Sequence, residues 1–133
     1  MNQATITLTE SSMEHADLDV TLYSESDQMT CTVRFDNDFS LQCGPEGLTE
    51  LATKISCASS CLKHDKGQYQ SNIEIHFDDK SPYRIACKIV RFQDLILIRF
   101  GDVWRPGGFT LTLDHEQGFK LAHSMLSCAQ HLS

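Results

Sequence analysis

Apolar and polar residues alternate along most of this chain. In "ATITLTE" Ile6 and Leu8 share one face, and in "LDVTLYSE" Leu18, Val20 and Leu22 do. In "MTCTVRFD" the apolar set is Met29, Cys31, Val33 and Phe35, and in "FSLQC" it is Phe39, Leu41 and Cys43. A period of two is the mark of a strand with one buried and one wet face. The stretches between, "SSMEHAD", "SESDQ" and "DND", are rich in Ser, Asp and Asn and read as turns.

The period then changes. Within "GPEGLTELATKISCASSCLKH", Leu48, Leu51, Ala52, Ile55 and Leu62 recur on one face of a helix. Pro45 suits its first turn, where the missing N–H has no intrahelical acceptor to lose. Gly67 marks the stop or linker.

The same order follows again. "SNIEIHFDD" offers Ile73, Ile75 and Phe77, and "YRIACKIVRF" offers Ile85, Cys87 and Ile89. "DLILIRFG" is apolar on both faces, with Leu95 and Leu97 opposite Ile96, Ile98 and Phe100. Such a strand is either central in its own unit or covered by a partner. After "DVWRPGG" comes "FTLTLD", then a helix carrying Leu121, Ala122, Met125, Ala129 and Leu132. Asp114 and Gln117 have capping-box spacing at its start.

Seventy positions separate Phe39 from Phe109, Leu41 from Leu111, Leu51 from Leu121 and Leu62 from Leu132. "VRF" at 33–35 also resembles "IRF" at 98–100. The predicted fold is therefore α+β: two ββββα repeats, residues 1–66 and 70–133, with antiparallel sheets and two packed helices. A chain of 133 residues suits a single pseudo-symmetric domain.

Composition narrows the setting. The chain is 41% hydrophobic and 22% charged, values of a globular protein and not of a disordered one. No apolar run approaches the ~20 residues of a membrane span. "MNQATITLTE" lacks the basic and apolar regions of a secretory signal, so a cytoplasmic location and reduced cysteines are expected. The net charge of −7 falls on residues 1–70, whereas residues 71–133 balance seven acids against seven bases. That disfavours attraction of nucleic acid by the whole surface but leaves room for a local basic patch.

"LILIRFGDVWRPGGFTLTLDHEQGFKL" resembles the end of the unit found in positive-cofactor-four coactivators. The carrying positions are Ile98, Arg99, Phe100, Pro106, Gly107, Gly108, Phe109, Thr110, Leu111 and Glu116. The paired units resemble the fold of those coactivators, the Whirly proteins and the Pur proteins. The resemblance implies helices crossing on one side and curved sheets on the other, with single-stranded nucleic acid held on the sheet. The lysine-rich loop of the coactivators is not matched; only Arg105 stands there.

The polar face of the strands supplies the candidate site. Tyr23, Arg34, His76, Arg84, Lys88 and Arg99 alternate with the buried positions, and Trp104 with Arg105 stands in the "DVWRPGG" loop. Cations for phosphates and rings for bases are what single-strand binding requires, and Trp and Arg also anchor protein interfaces. Tyr83 is a further ring. Cys57, Cys61 and His64 line one helical face, with His76 nearby. Their spacing matches no usual zinc knuckle, and a helix–helix interface with the other repeat, or with a second subunit, is the preferred reading. No phosphate loop, nucleophile elbow or metalloprotease motif is present. The expectation is a non-enzymatic module with no catalytic residues, metal or cofactor. A protein partner or homodimer is placed ahead of nucleic acid because of the charge, and no membrane partner is expected.

Overall fold

A computed structural model describes residues 2–10, 17–24, 30–76, 84–101 and 108–132. Four strands and a helix occur twice: β1 (Asn2–Thr9), β2 (Asp17–Ser24), β3 (Cys31–Phe35), β4 (Phe39–Cys43) and α1 (Pro45–Lys63), then β5 (Gln70–His76), β6 (Arg84–Phe92), β7 (Leu95–Phe100), β8 (Phe109–Leu113) and α2 (His115–Leu132). Each set of strands forms an antiparallel meander, in the orders β1-β2-β3-β4 and β5-β6-β7-β8. The α+β fold with a repeated ββββα unit is thus as the alternation predicts. Residues 11–16 and 25–28 of the "SSMEHAD" and "SESDQ" turns, with Met29 and Phe77, lie outside the described residues.

The helices are exchanged between units. α2 packs chiefly on β1 and β2, with lesser contact to β3, β7 and β8, while α1 packs on β5, β6 and β7. They run antiparallel, with Ser59 near the end of α1 facing Gly118 in the first turn of α2. Burial follows the sequence stripes: Leu48, Leu51, Ala52 and Ile55 on α1 and Leu121, Ala122, Met125 and Ala129 on α2 join both sheets in one continuous core.

A phenylalanine cluster joins the units at the other side. Phe35 and Phe100 end β3 and β7, and Phe39 and Phe109 begin β4 and β8. Phe39 stacks on Phe109 at 5.5 Å and 3°, and Phe35 meets Phe100 at 5.6 Å. The two remaining cross pairs, Phe35–Phe109 and Phe39–Phe100, match at 5.4 and 5.3 Å, as a pseudo-two-fold arrangement requires. The backbone obeys the same symmetry. Asp36 (φ 50°) and Gly101 (φ 86°) both turn the chain after their strand, and both donate N–H back at 2.8 Å, to Asp19 O and Ala86 O.

One sequence expectation is only half met. Asp114 does cap α2, accepting from Gln117 N at 2.8 Å. The Gln117 side chain does not close the capping box; its Oε1 accepts from Thr9 N at 2.9 Å. Lys120 Nζ likewise donates to Thr7 O at 2.7 Å. The outer edge of β1 would otherwise show unpaired backbone groups, and α2 satisfies two of them.

Gly118 is where the helices come closest. A Cβ there would overlap the Ser59 hydroxyl and crowd Ile96 Cδ1 at 3.0 Å. Ser59 is fully buried and donates to Ile55 O at 2.8 Å, so the hydroxyl has little room to turn. Gly118→Ala is expected to destabilise by about 1–3 kcal/mol despite a gain in helix propensity. In a Ser59→Ala background the cost should fall by about 1 kcal/mol, read from a double-mutant cycle in urea. Strict additivity would show that the helices do not meet at this pair.

Candidate binding surface

Each sheet turns one face to the core and one outward, and the two outward faces differ. On the first sheet, Arg34 is flanked by Thr21 and Ser40, and Thr32 by Tyr23 and Gln42. Asp17 and Asp19 sit towards the same sheet's edge, accepting from Thr9 Oγ1 at 3.3 Å and Thr7 Oγ1 at 2.9 Å. This face is polar, and its acids are satisfied locally.

Pseudo-symmetry gives the equivalent positions on the second sheet. Thr21 corresponds to Lys88, Arg34 to Arg99, Tyr23 to Val90, Thr32 to Leu97 and Thr30 to Leu95. Lys88 and Arg99 are direct cross-strand partners. Like charges so placed repel, and among the described residues neither has an ion-pair partner. Arg99 Nε is buried with no hydrogen-bond partner. Beside this cationic pair the register sets Val90 against Leu97 and Phe92 against Leu95. Leu95, Leu97 and Val90 are half-buried, and Phe92 is 60% exposed. The result is an apolar strip bordered by two cations.

The predicted site residues that are described are divided between the two sheets. Tyr23 and Arg34 lie on the first sheet, and His76, Arg84, Lys88 and Arg99 on the second. Arg84 is opposite His76 at the far end of β6 and pairs with Glu74 at 3.1 Å, both partners being well exposed. Trp104, Arg105 and Tyr83 lie outside the described residues. The doubly apolar strand "LILIRF" is internal, between β6 and β8; its outward Leu95 and Leu97 are only partly covered. Val90 and Phe92 complete the strip and escaped sequence reading. The signal was available, since both occupy polar-face positions of "YRIACKIVRF".

The thiol-bearing face of α1 is corrected. Cys57 and His64 are exposed and Cys61 half-buried, so this face does not pack against the other repeat's helix. Ser59, buried on the adjoining face, meets Gly118 of α2. Among the described residues no group of three or more His, Cys, Asp or Glu is placed to hold a metal ion.

Arg91 was also missed, and it positions the end of α1. Its guanidinium donates to Asp65 Oδ1 at 2.6 Å, Gly67 O at 2.9 Å and Cys61 O at 3.5 Å. Its Nε donates to Gln93 O at 3.1 Å, inside the two-residue hairpin that carries Phe92. A cation at a helix C-terminus meets the negative end of the dipole, and the bond to Asp65 holds the Arg91 pKa above its ordinary value. The clamp thus ties α1 to the hairpin beside the apolar strip. Arg91→Ala should speed amide hydrogen exchange of His64, Asp65 and Lys66, whose N–H groups bond to Ser60 O, Leu62 O and Cys61 O. Unchanged exchange there would show that these turns stand without the clamp.

Burial shifts two thiols of the core. Cys43 and Cys87 are each pushed up to about 12 from an ordinary value of 9.0, mainly by loss of hydration. The folded state thus holds these protons more tightly than the unfolded chain. The associated stability is complete below the unfolded value and is lost as pH rises from about 9 through about 12. Cys87→Val keeps an apolar side chain and removes the titrating group. At about pH 10.5 it should recover about 2 kcal/mol of the alkaline loss relative to its own value at pH 7. Parallel urea titrations of the two proteins at both pH values measure it; identical losses would exclude Cys87 as a contributor.

Comparison with known proteins returns no family model that matches the chain, and no curated protein or solved structure that does.

Proposed function

We propose that this protein is a non-enzymatic binding module whose working surface is the outer face of the second sheet. Its partner is a protein segment that offers apolar side chains next to acidic ones. The observation that carries this reading is the strip Phe92–Leu95–Val90–Leu97 beside Lys88 and Arg99; where it has Val90, Leu97 and Lys88 the first sheet has Tyr23, Thr32 and Thr21. A one-sided antiparallel sheet has no structural need for apolar residues on its wet face. Protein interfaces are built from a desolvated apolar centre with Arg prominent, and charge complementarity selects the partner.

Single-stranded nucleic acid is a second reading. The Lys88–Arg99 pair and the exposed Phe92 ring favour it, as does the resemblance to sheet-binding families. The chain's net charge of −7 and the aliphatic character of the strip count against it, because bases stack on rings and phosphates on cations.

Fluorescence anisotropy separates the two. The probes are labelled peptides alternating Leu or Phe with Asp or Glu, and a labelled oligothymidylate, each at low and high salt. Peptide binding should weaken about tenfold or more in Leu97→Asp and severalfold in Lys88→Glu, with modest salt dependence. Oligonucleotide binding that falls steeply with salt and is lost in Arg99→Ala would replace the first reading with the second. No binding of either probe would remove this face as the working surface. Sedimentation at micromolar concentration tests whether a second copy is the partner.

A further inference from the structure

Three thiols gather where β3, β4 and α2 meet. Cys31 and Cys43 are cross-strand partners, both fully buried. Cys31 Sγ lies 2.7 Å from Cys128 Sγ on α2. Cys128 is only partly buried and, with Leu22, His123, Ser127 and His131, lines a cavity of about 300 Å³ between α2 and the first sheet. The remaining cysteines are arranged differently. Cys87 is buried on the second sheet, and Cys57 and Cys61 stand on the outer side of α1, where the Cys61 thiol donates to Gly67 O at 3.5 Å. Among the described residues only the Cys31–Cys128 pair combines thiol contact with an opening to solvent.

The roles within the pair are unequal. Cys31 is sealed in the core and Cys128 faces the cavity, so a small reagent reaches Cys128 first. Hydrogen bonding between them lowers the Cys128 pKa, and it raises that of Cys31 together with burial. A thiolate is the reactive form, and access through the cavity gives that role to Cys128. The sulfurs need only a small side-chain movement to reach a bond of about 2.05 Å.

We propose that Cys31 and Cys128 form a paired-thiol oxidation site that takes hydrogen peroxide through this cavity and closes into a disulfide joining α2 to β3. Cys128, having released its proton, attacks one peroxide oxygen. The O–O bond breaks, Cys128 becomes a sulfenic acid, and the departing hydroxide recovers a proton to give water. The Cys31 sulfur then attacks the Cys128 sulfur, the S–O bond breaks, and the Cys31 proton leaves with the hydroxide as a second water. Two thiols lose two electrons and one peroxide gains them. The bond closes a loop with a separation of 97 residues between its ends and links the first sheet to the helix supplied by the second unit. It therefore fixes a contact between the two halves.

The test uses the full chain, fully reduced and treated with stoichiometric hydrogen peroxide. Remaining thiols are alkylated, and the protein is digested without reductant for mass spectrometry. The expected product is one cross-linked pair of peptides holding Cys31 and Cys128, reversed by dithiothreitol, formed about tenfold faster than any oxidation of Cys57. The oxidised protein should also unfold at higher urea than the reduced one. In Cys31→Ser, oxidation should stop at a sulfenic acid on Cys128 that dimedone traps. Recovery of both cysteines alkylated after Cys57 or Cys61 has oxidised would overturn the proposal. So would Cys128 over-oxidised to a sulfinic acid with Cys31 still a free thiol. Both of these results are read on the unsubstituted chain, so a variant that fails to fold does not obscure them.

Discussion

Everything in this fold depends on each helix being packed against the other unit's sheet. A four-stranded meander with one apolar face cannot stand in water by itself. Here the cover for β1–β3 arrives from the end of the chain, as α2, and the cover for β5–β7 comes from the middle, as α1. The antiparallel helix pair and the phenylalanine cluster then close one core from two sides. Small residues permit the arrangement at the crossing. Gly118 and Ser59 meet where Leu48, the repeat-equivalent of Gly118, has a full apolar side chain. The pseudo-symmetry is broken at that point so that the helices can touch.

The repetition also serves as an internal control. Two sheets with the same pairing and turn geometry solve the same folding problem, so features common to both need no functional explanation. Arg34 and Arg99 are such a pair, and what sets the second sheet apart there is Lys88 opposite the arginine, where the first has Thr21. Features on one sheet alone are different. Val90, Leu97 and Lys88 stand where the first sheet has Tyr23, Thr32 and Thr21. Folding is satisfied without them, so their composition is free to answer to a partner.

The strands, helices and repeat were legible in the sequence because burial on one face forces strict alternation, and a helical stripe follows from 3.6-residue periodicity. Asp114 was legible as a cap for the same local reason. What escaped were contacts between residues distant along the chain. Periodicity says that α1 has an apolar stripe but not which sheet it covers, so the exchange of helices had no signal. The thiol face of α1 lies opposite the Leu stripe, which suggests an interface; the contact with α2 is made by the small residue Ser59 at its flank. Cys31 was read as a buried strand residue, which it is. That it meets Cys128 depends on α2 crossing to the first sheet. The outward apolar strip fell between these cases: Leu95 and Leu97 were noticed, but their alignment with Val90 and Phe92 is a matter of cross-strand register.

The exchanged helices give the connection at residues 64–69 an unusual status. It does not hold the halves in place, because the core already does so through contacts that run in both directions. Residues up to Lys63 supply one sheet and the other sheet's cover, and residues from Gln70 onward do the reverse. Each half alone would leave an apolar sheet and an apolar helix stripe in water, and each is the complement of the other. The connection thus acts as a tether that raises the local concentration of one half around the other. In that sense the chain is a heterodimer of its own two repeats. Folding must bring distant segments together before either sheet is covered, which places it among slow, high-contact-order topologies.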